Sequence, residues 1–183
     1  RPSFTANIRA QQVGHASSLA RTLAEAHLLT GDAGLARATR DILLRFAAVY
    51  PGWLVHVRYG EYADMDPRVA ALAINQLPAD ELCPPPNKPD RRLHTGYWSA
   101  GRASGVGQES GFVRRVAEAY DFTCEARNPD GTPVYSEAQR RLIERDLLLE
   151  STVLLVADKQ INNKSVGNRT ATALVGLTVG HPG

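Results

Sequence analysis

The stretch SLARTLAEAHLLTGDAGLARATRDILLRFAAVYPGW, residues 18–53, decides the fold. Its apolar residues keep helical spacing on both sides of a single turn signal. From Asn7 to Leu29, the positions Val13, Ala16, Leu19, Ala20, Leu23, Ala24 and Ala26 follow an i, i+3, i+4 pattern. Gly31-Asp32 breaks that helix and caps a second one. Leu35, Ala38, Ile42, Phe46 and Val49 then form an apolar stripe, and Pro51-Gly52 ends it. Helices joined by so short a turn lie antiparallel as neighbours.

The rest of the chain uses the same grammar. Asp66-Pro67, an N-cap residue followed by proline at the first helical position, opens a third helix that stops at Pro78. Residues 82–102, LCPPPNKPDRRLHTGYWSAGR, are irregular by composition. A fourth helix is predicted from about Ser104 to Tyr120. After the turn-rich NPDGTP, Ser136-Glu137-Ala138-Gln139 is a capping box that opens a fifth helix reaching about Ala157. VLLVA, residues 153–157, is short and apolar enough for a strand, but it continues the capped helix without a turn signal and is read as helix. A sixth helix runs from about Ser165 to Gly180. The fold class is therefore all-α, built from antiparallel helical hairpins, and a bundle, a solenoid and an α/α toroid all satisfy it.

Composition narrows the function classes. The 183 residues suit one domain, and 22% charged and 43% hydrophobic residues are ordinary for a globular protein. A formal net charge of +2 without a polybasic run argues against nucleic acid as a partner. No apolar run approaches the ~20 residues that cross a bilayer. Met65 is the only methionine, the chain opens RPSFTAN, and it stops at VGHPG behind an apolar helix; the expectation is a fragment whose targeting peptide has been removed. Cys83 and Cys124 fit no zinc spacing, and one bridge or two free thiols are both open.

Counting helices alternately up and down places the 1–2, 3–4 and 5–6 connections at one end. The loop with His94, Tyr97, Trp98 and Arg102 then joins Asn162, Asn163 and Lys164, where helices 4 and 6 point their positive N-termini. A histidine, two aromatics and an arginine in a glycine-containing loop suit a sugar surface, because aromatic faces stack on sugars and arginine grips carboxylate or sulfate. The same loop pinned by Trp98 in the core is the plain alternative. Asn162, Asn163 and Ser165 equally suit capping of helix 6. The polar loop Arg58, Tyr59, Glu61, Tyr62 and Asp64 falls at the far end by the same count. His15 and His27 are read as structural, and GVGQESG is not a dinucleotide fingerprint.

Three segments carry a family resemblance. WSAGRASGVGQESGFVRRVAEAYDF, residues 98–122, resembles the part of heparinase II/III-like polysaccharide lyases in which a Trp, an Ala-Gly-Arg and an amphipathic helix ending in Tyr-Asp follow in order. The opening hairpin with its TGD turn is similar to that family's early toroid helices. INNKSVGNRTATALVGLTVG, residues 161–180, resembles the asparagine-bearing helix start of the same enzymes and of related alginate lyases. The resemblance implies an α/α toroid, here incomplete over residues 1–183, followed by a β-sandwich domain, and β-elimination of uronic-acid polysaccharides. It implies Asn163 as the carboxylate-neutralising asparagine and matches Arg102 to the family's arginine. Two departures stand out: Lys164 occupies a position that is often a catalytic histidine, and the family's catalytic tyrosine lies beyond Gly183.

The chemistry agrees with that assignment. Cleaving the C4–O bond of a uronate requires loss of the weakly acidic C5 proton, and donors on the carboxylate stabilise the enolate-like charge that develops. The expected protein is thus a secreted or periplasmic polysaccharide lyase without metal or cofactor. Catalytic Asn163 is assisted by substrate-binding Arg102, Lys164, His94, Tyr97, Trp98 and Asn162. Its partner is an anionic polysaccharide, and unpaired helix faces favour self-association. A uronate epimerase or glycoside hydrolase on the same toroid is one rival, with Glu109, Asp90 and Asp158 as the acids at hand. A non-catalytic helical scaffold that binds glycan or protein is the other.

Overall fold

The computed structural model describes residues 4–55, 64–73, 101–103, 109–157 and 163–180. Helix α1 (Phe4–Thr30) ends as the sequence predicts. Gly31 takes the left-handed conformation, φ 72°, and its N–H donates to the His27 carbonyl at 2.7 Å. The Asp32 carboxylate then accepts from Gly34 N at 2.7 Å and caps helix α2 (Ala33–Val49). A 3-10 turn, Tyr50–Gly52, closes α2 where proline forbids another helical bond.

Helix α3 (Pro67–Ala73) begins at the predicted cap: the Asp66 carboxylate accepts from Arg68 N at 2.8 Å and from Val69 N at 3.3 Å. Helix α4 spans Glu109–Asp121. Helix α5 (Glu137–Ile143) opens on the predicted capping box, with the Ser136 hydroxyl and the Gln139 side chain satisfying each other's backbone N–H groups. It passes into a π-helical turn, Glu144–Leu149, and then into helix α6 (Val153–Ala157), so VLLVA is helical. Helix α7 spans Asn163–Thr178. Among the described residues there is no strand; Arg127 and Pro133 form an isolated bridge around the Asn128–Gly131 turn. The protein is all-α, and its helices pack as a bundle.

Helix α1 packs against α2 and α4, and α4 in turn packs against α7. On α1 the fully buried residues are Ser17, Ala20 and Ala24, which let neighbouring backbones approach closely, while Leu19 of the predicted stripe is 41% exposed. On α2 the buried line is Ala36, Thr39, Leu43, Phe46 and Ala47. Leu35, Ala38, Ile42 and Val49 flank it at intermediate exposure. The period identified both helices, but the buried face is rotated by about one residue from the stripe, because α2 is packed from two sides.

Direct contacts fix the directions. Arg115 Nε donates to Ser17 Oγ at 3.0 Å and Arg21 pairs with Glu118 at 2.5 Å, so α1 and α4 run parallel. The Tyr50 hydroxyl donates to Glu109, which brings the end of α2 to the start of α4. Arg37 reaches Asn128 at 2.7 Å and Arg40 reaches the Val134 carbonyl at 2.9 Å, placing the 122–136 loop beside the Gly31-Asp32 turn at the opposite end.

This corrects the up-and-down count. The 1–2 turn lies away from the start of α4, not beside it. Arg68 at the start of α3 and Arg102 both reach Glu150, so both stand at the end of the bundle where α4 starts. The 2–3 connection also starts at that end: Trp53 packs on Tyr50 with ring centroids 5.5 Å apart, and Val55 exchanges backbone bonds with Asp64 and Met65 at 2.9 Å. Asp64 is thus at the Arg102 end, while Arg58, Tyr59, Glu61 and Tyr62 lie outside the described residues.

Candidate functional site

One end of the bundle gathers Tyr50, Arg102, Glu109 and Glu150. Glu109, the first residue of α4, is 1% exposed. One of its carboxylate oxygens accepts from the backbone N–H groups of Arg102 and Ala103, both at 2.9 Å; the other accepts the Tyr50 hydroxyl. A buried carboxylate is tolerated only when its lone pairs are filled, and here three donors fill them. The Gly101–Ala103 segment is thereby tied to the start of α4.

Arg102 extends the network inward. Its guanidinium donates to Glu150 Oε1 at 2.8 Å and to the Glu150 carbonyl at 2.5 Å, and it lies 4.1 Å from the centroid of the Tyr50 ring. The carbonyl follows the π-helical turn, where the ordinary i→i+4 bonding is displaced. The Arg102 side chain has no exposed surface, and Glu150 keeps only 6%. Arg68, 61% exposed, closes the outer side of Glu150 as a second partner. Among the described residues the cluster's two arginines and two glutamates balance in charge.

The expectation that Arg102 grips substrate meets a different geometry. The guanidinium is turned into the protein and committed to Glu150 and Tyr50, because a buried glutamate at that site demands a cation. One residue thus takes two tasks: the Arg102 side chain braces the inside of the bundle while its backbone N–H donates to the Glu109 carboxylate. Glu109 is likewise fully engaged and is not free for hydrolytic acid chemistry. Burial first, and then the Glu109 charge, hold the Tyr50 phenol well above its ordinary pKa of 10.0, which makes it a donor and not a base.

The opening of α7 reaches the same end. A Cβ built on Gly167 would lie 3.1 Å from Ser110 Oγ, so the first turns of α7 and α4 abut. Asn163 is the first residue of α7 and Lys164 the second. Lys164 is at intermediate exposure, and burial lowers its ammonium pKa. The early part of α7 therefore packs against the start of α4, at the end that also holds Arg102. His94, Tyr97, Trp98 and Asn162, together with Asp90, Asp158 and Cys83, lie outside the described residues. Cys124 carries a free thiol. His27 donates through Nδ1 to the Asp32 carbonyl at 2.9 Å, a structural role.

Sequence reasoning missed Tyr50, Arg68 and Glu150. A signal for Glu150 was present: it is a lone acid inside the apolar run LLLESTVLLVA, and a charge on a buried stripe needs a partner. Nothing local identified that partner, since Arg102 lies 48 residues away.

A shallow concavity at the other end, between Tyr135, Ser136 and Arg140, offers no convergent free groups. Ser136 is spent in the capping box and Arg140 pairs with Glu125 at 2.6 Å. Among the described residues no three His, Cys, Asp or Glu side chains are grouped to hold a metal, and no helix is long and apolar enough to cross a membrane. In comparisons with known proteins, no family model, no curated protein and no solved structure matches this chain.

Proposed function

We propose that the chain is the helical, toroid-forming part of a secreted or periplasmic polysaccharide lyase, similar to the heparinase II/III-like enzymes, that cleaves uronic-acid polysaccharides by β-elimination. The observation that supports the reading is the abutment of Gly167 on Ser110, one helical turn from Asn163, which opens α7. Helix N-termini favour anions, and a uronate carboxylate is the anion this chemistry needs to hold. In this reading Asn163 donates to the carboxylate as the C5 proton leaves and the C4–O bond breaks. Lys164 adds a nearby cation. Arg102 serves behind the site, holding residues 101–103 in place. The proton acceptor is a residue other than Tyr50, with His94 and Tyr97 the first candidates on this chain.

The test is formation of the unsaturated uronate, read by its ultraviolet absorbance, with the full-length protein and a panel of uronate polymers. Asn163→Ala is expected to lower kcat by roughly 10²–10³, the scale for one preorganised donor, with a much smaller change in KM. If Asn163 only supports the helix start, the variant loses about 1 kcal/mol of stability and keeps its turnover. A non-catalytic glycan-binding scaffold is the second reading, favoured by the neutral, inward-facing arginine–glutamate cluster. It gives binding to the same polymers without unsaturated product.

A further inference from the structure

Helix α7 meets α4 in a close contact at Gly167. Gly167 has no side chain, and a Cβ there would sit 3.1 Å from Ser110 Oγ and 3.8 Å from Ser110 Cβ. The first distance is tighter than ordinary packing. Ser110 cannot withdraw along its backbone, because it follows Glu109, whose buried carboxylate is held by Tyr50, Arg102 N and Ala103 N. On the other side of the contact, Asn163 is one helical turn upstream of Gly167, about 6 Å along the axis. A helix transmits a push at one turn to the next, since its backbone hydrogen bonds join them.

We propose that Gly167 is a positioning residue: its missing Cβ lets the first turn of α7 seat against Ser110 and so sets where Asn163 and Lys164 stand. The inference rests on the lyase reading. It assigns Gly167 no contact with substrate. The α4 side is the fixed wall, braced by the buried Glu109–Arg102–Glu150 network, and the α7 side is the part that yields.

Substitution tests this directly. Alanine is a mild perturbation, because the Ser110 hydroxyl can rotate away from a single methyl. Gly167→Val is the stronger one, since a branched side chain also meets Ser110 Cβ, which cannot rotate away. Valine is no worse than glycine in a helix interior, so a loss would come from the contact and not from helix propensity. In the full-length protein Gly167→Val is expected to lower kcat by roughly 10- to 100-fold, the scale for a small misplacement of a catalytic group, with KM and the melting temperature changed little. Ser110→Gly alone should stay near parental activity, and Ser110→Gly combined with Gly167→Val should recover most of kcat by reopening the space. A merely structural glycine would not show that split or that rescue. Parental kcat in Gly167→Val overturns the proposal, as does a double variant that melts like the parent but remains slow. If the parent itself releases no unsaturated product from any uronate polymer, the lyase reading falls and the positioning role falls with it.

Discussion

Replacing Arg102 with methionine should unfold the protein far more readily than it changes any ligand contact. Methionine keeps most of the volume and removes the charge. The structure then leaves Glu150, 6% exposed, with Arg68 as its remaining charged partner, and leaves the Glu150 carbonyl without the donor it has at 2.5 Å. Removing one partner of a buried pair costs about 3–5 kcal/mol, because the other charge stays desolvated. Arg68 offsets part of this, so the lower end, ~3 kcal/mol, is expected. For a chain of this size that corresponds to roughly 6–12 °C in melting temperature. In urea, with a slope of about 2 kcal/mol per molar, the midpoint should fall by ~1.5 M. Arg68→Met, which removes the exposed partner, should cost about 1 kcal/mol or less. Arg102→Met combined with Glu150→Leu should recover most of the loss, since an apolar replacement of both charges leaves nothing unpaired. Thermal melts and urea titrations of the parent and the three variants decide the matter. If Arg102→Met melts with the parent, the inward-facing ion pair is not what holds this end of the bundle together, and Arg102 returns to the list of ligand contacts.

Other consequences can be read with the same instruments. Gly31→Ala should destabilise by about 1–2 kcal/mol, the cost of placing a side chain at φ 72°, and Asp32→Ala by ~1 kcal/mol through loss of the cap to Gly34 N; unchanged urea midpoints would remove the turn from the account. Burial raises the phenol pKa of Tyr50, Tyr120 and Tyr135. Each binds its proton more tightly folded than unfolded, so the associated stability is complete below the ordinary value of 10.0 and is lost as pH rises above it. Tyr50 alone contributes a slope of about 1.4 kcal/mol per pH unit there. Tyrosinate absorbance should therefore report these three of the six tyrosines only as the helical circular dichroism collapses. Ordinary titration of all six in a folded protein would contradict the burial of these three.

Local chemistry made most of the elements legible. The Gly31-Asp32 turn, the Asp66-Pro67 start and the Ser136–Gln139 capping box each depend on groups within a few residues, and each stands where the sequence puts it. The π-helical turn at Glu144–Leu149 carried no such signature, and apolar periodicity did not distinguish it from the α-helix around it. Counting turns up and down failed for the same kind of reason: the count put the Gly31-Asp32 turn beside the start of α4, whereas the Tyr50 hydroxyl on Glu109 brings the opposite end of α2 there.

By itself the sequence determined that this is an all-α protein, where most helices begin, and which polar residues stand at the start of α7. Those properties follow from spacing and capping, which act over one or two turns. Tertiary structure alone decided that α1 buries Ser17, Ala20 and Ala24 while Leu19 is 41% exposed. It also turned Arg102 inward to Glu150 and brought Gly167 against Ser110. A side chain's environment is set by whichever element packs over it, and a buried charge takes the partner that the fold brings within hydrogen-bond reach, however distant in sequence that partner lies.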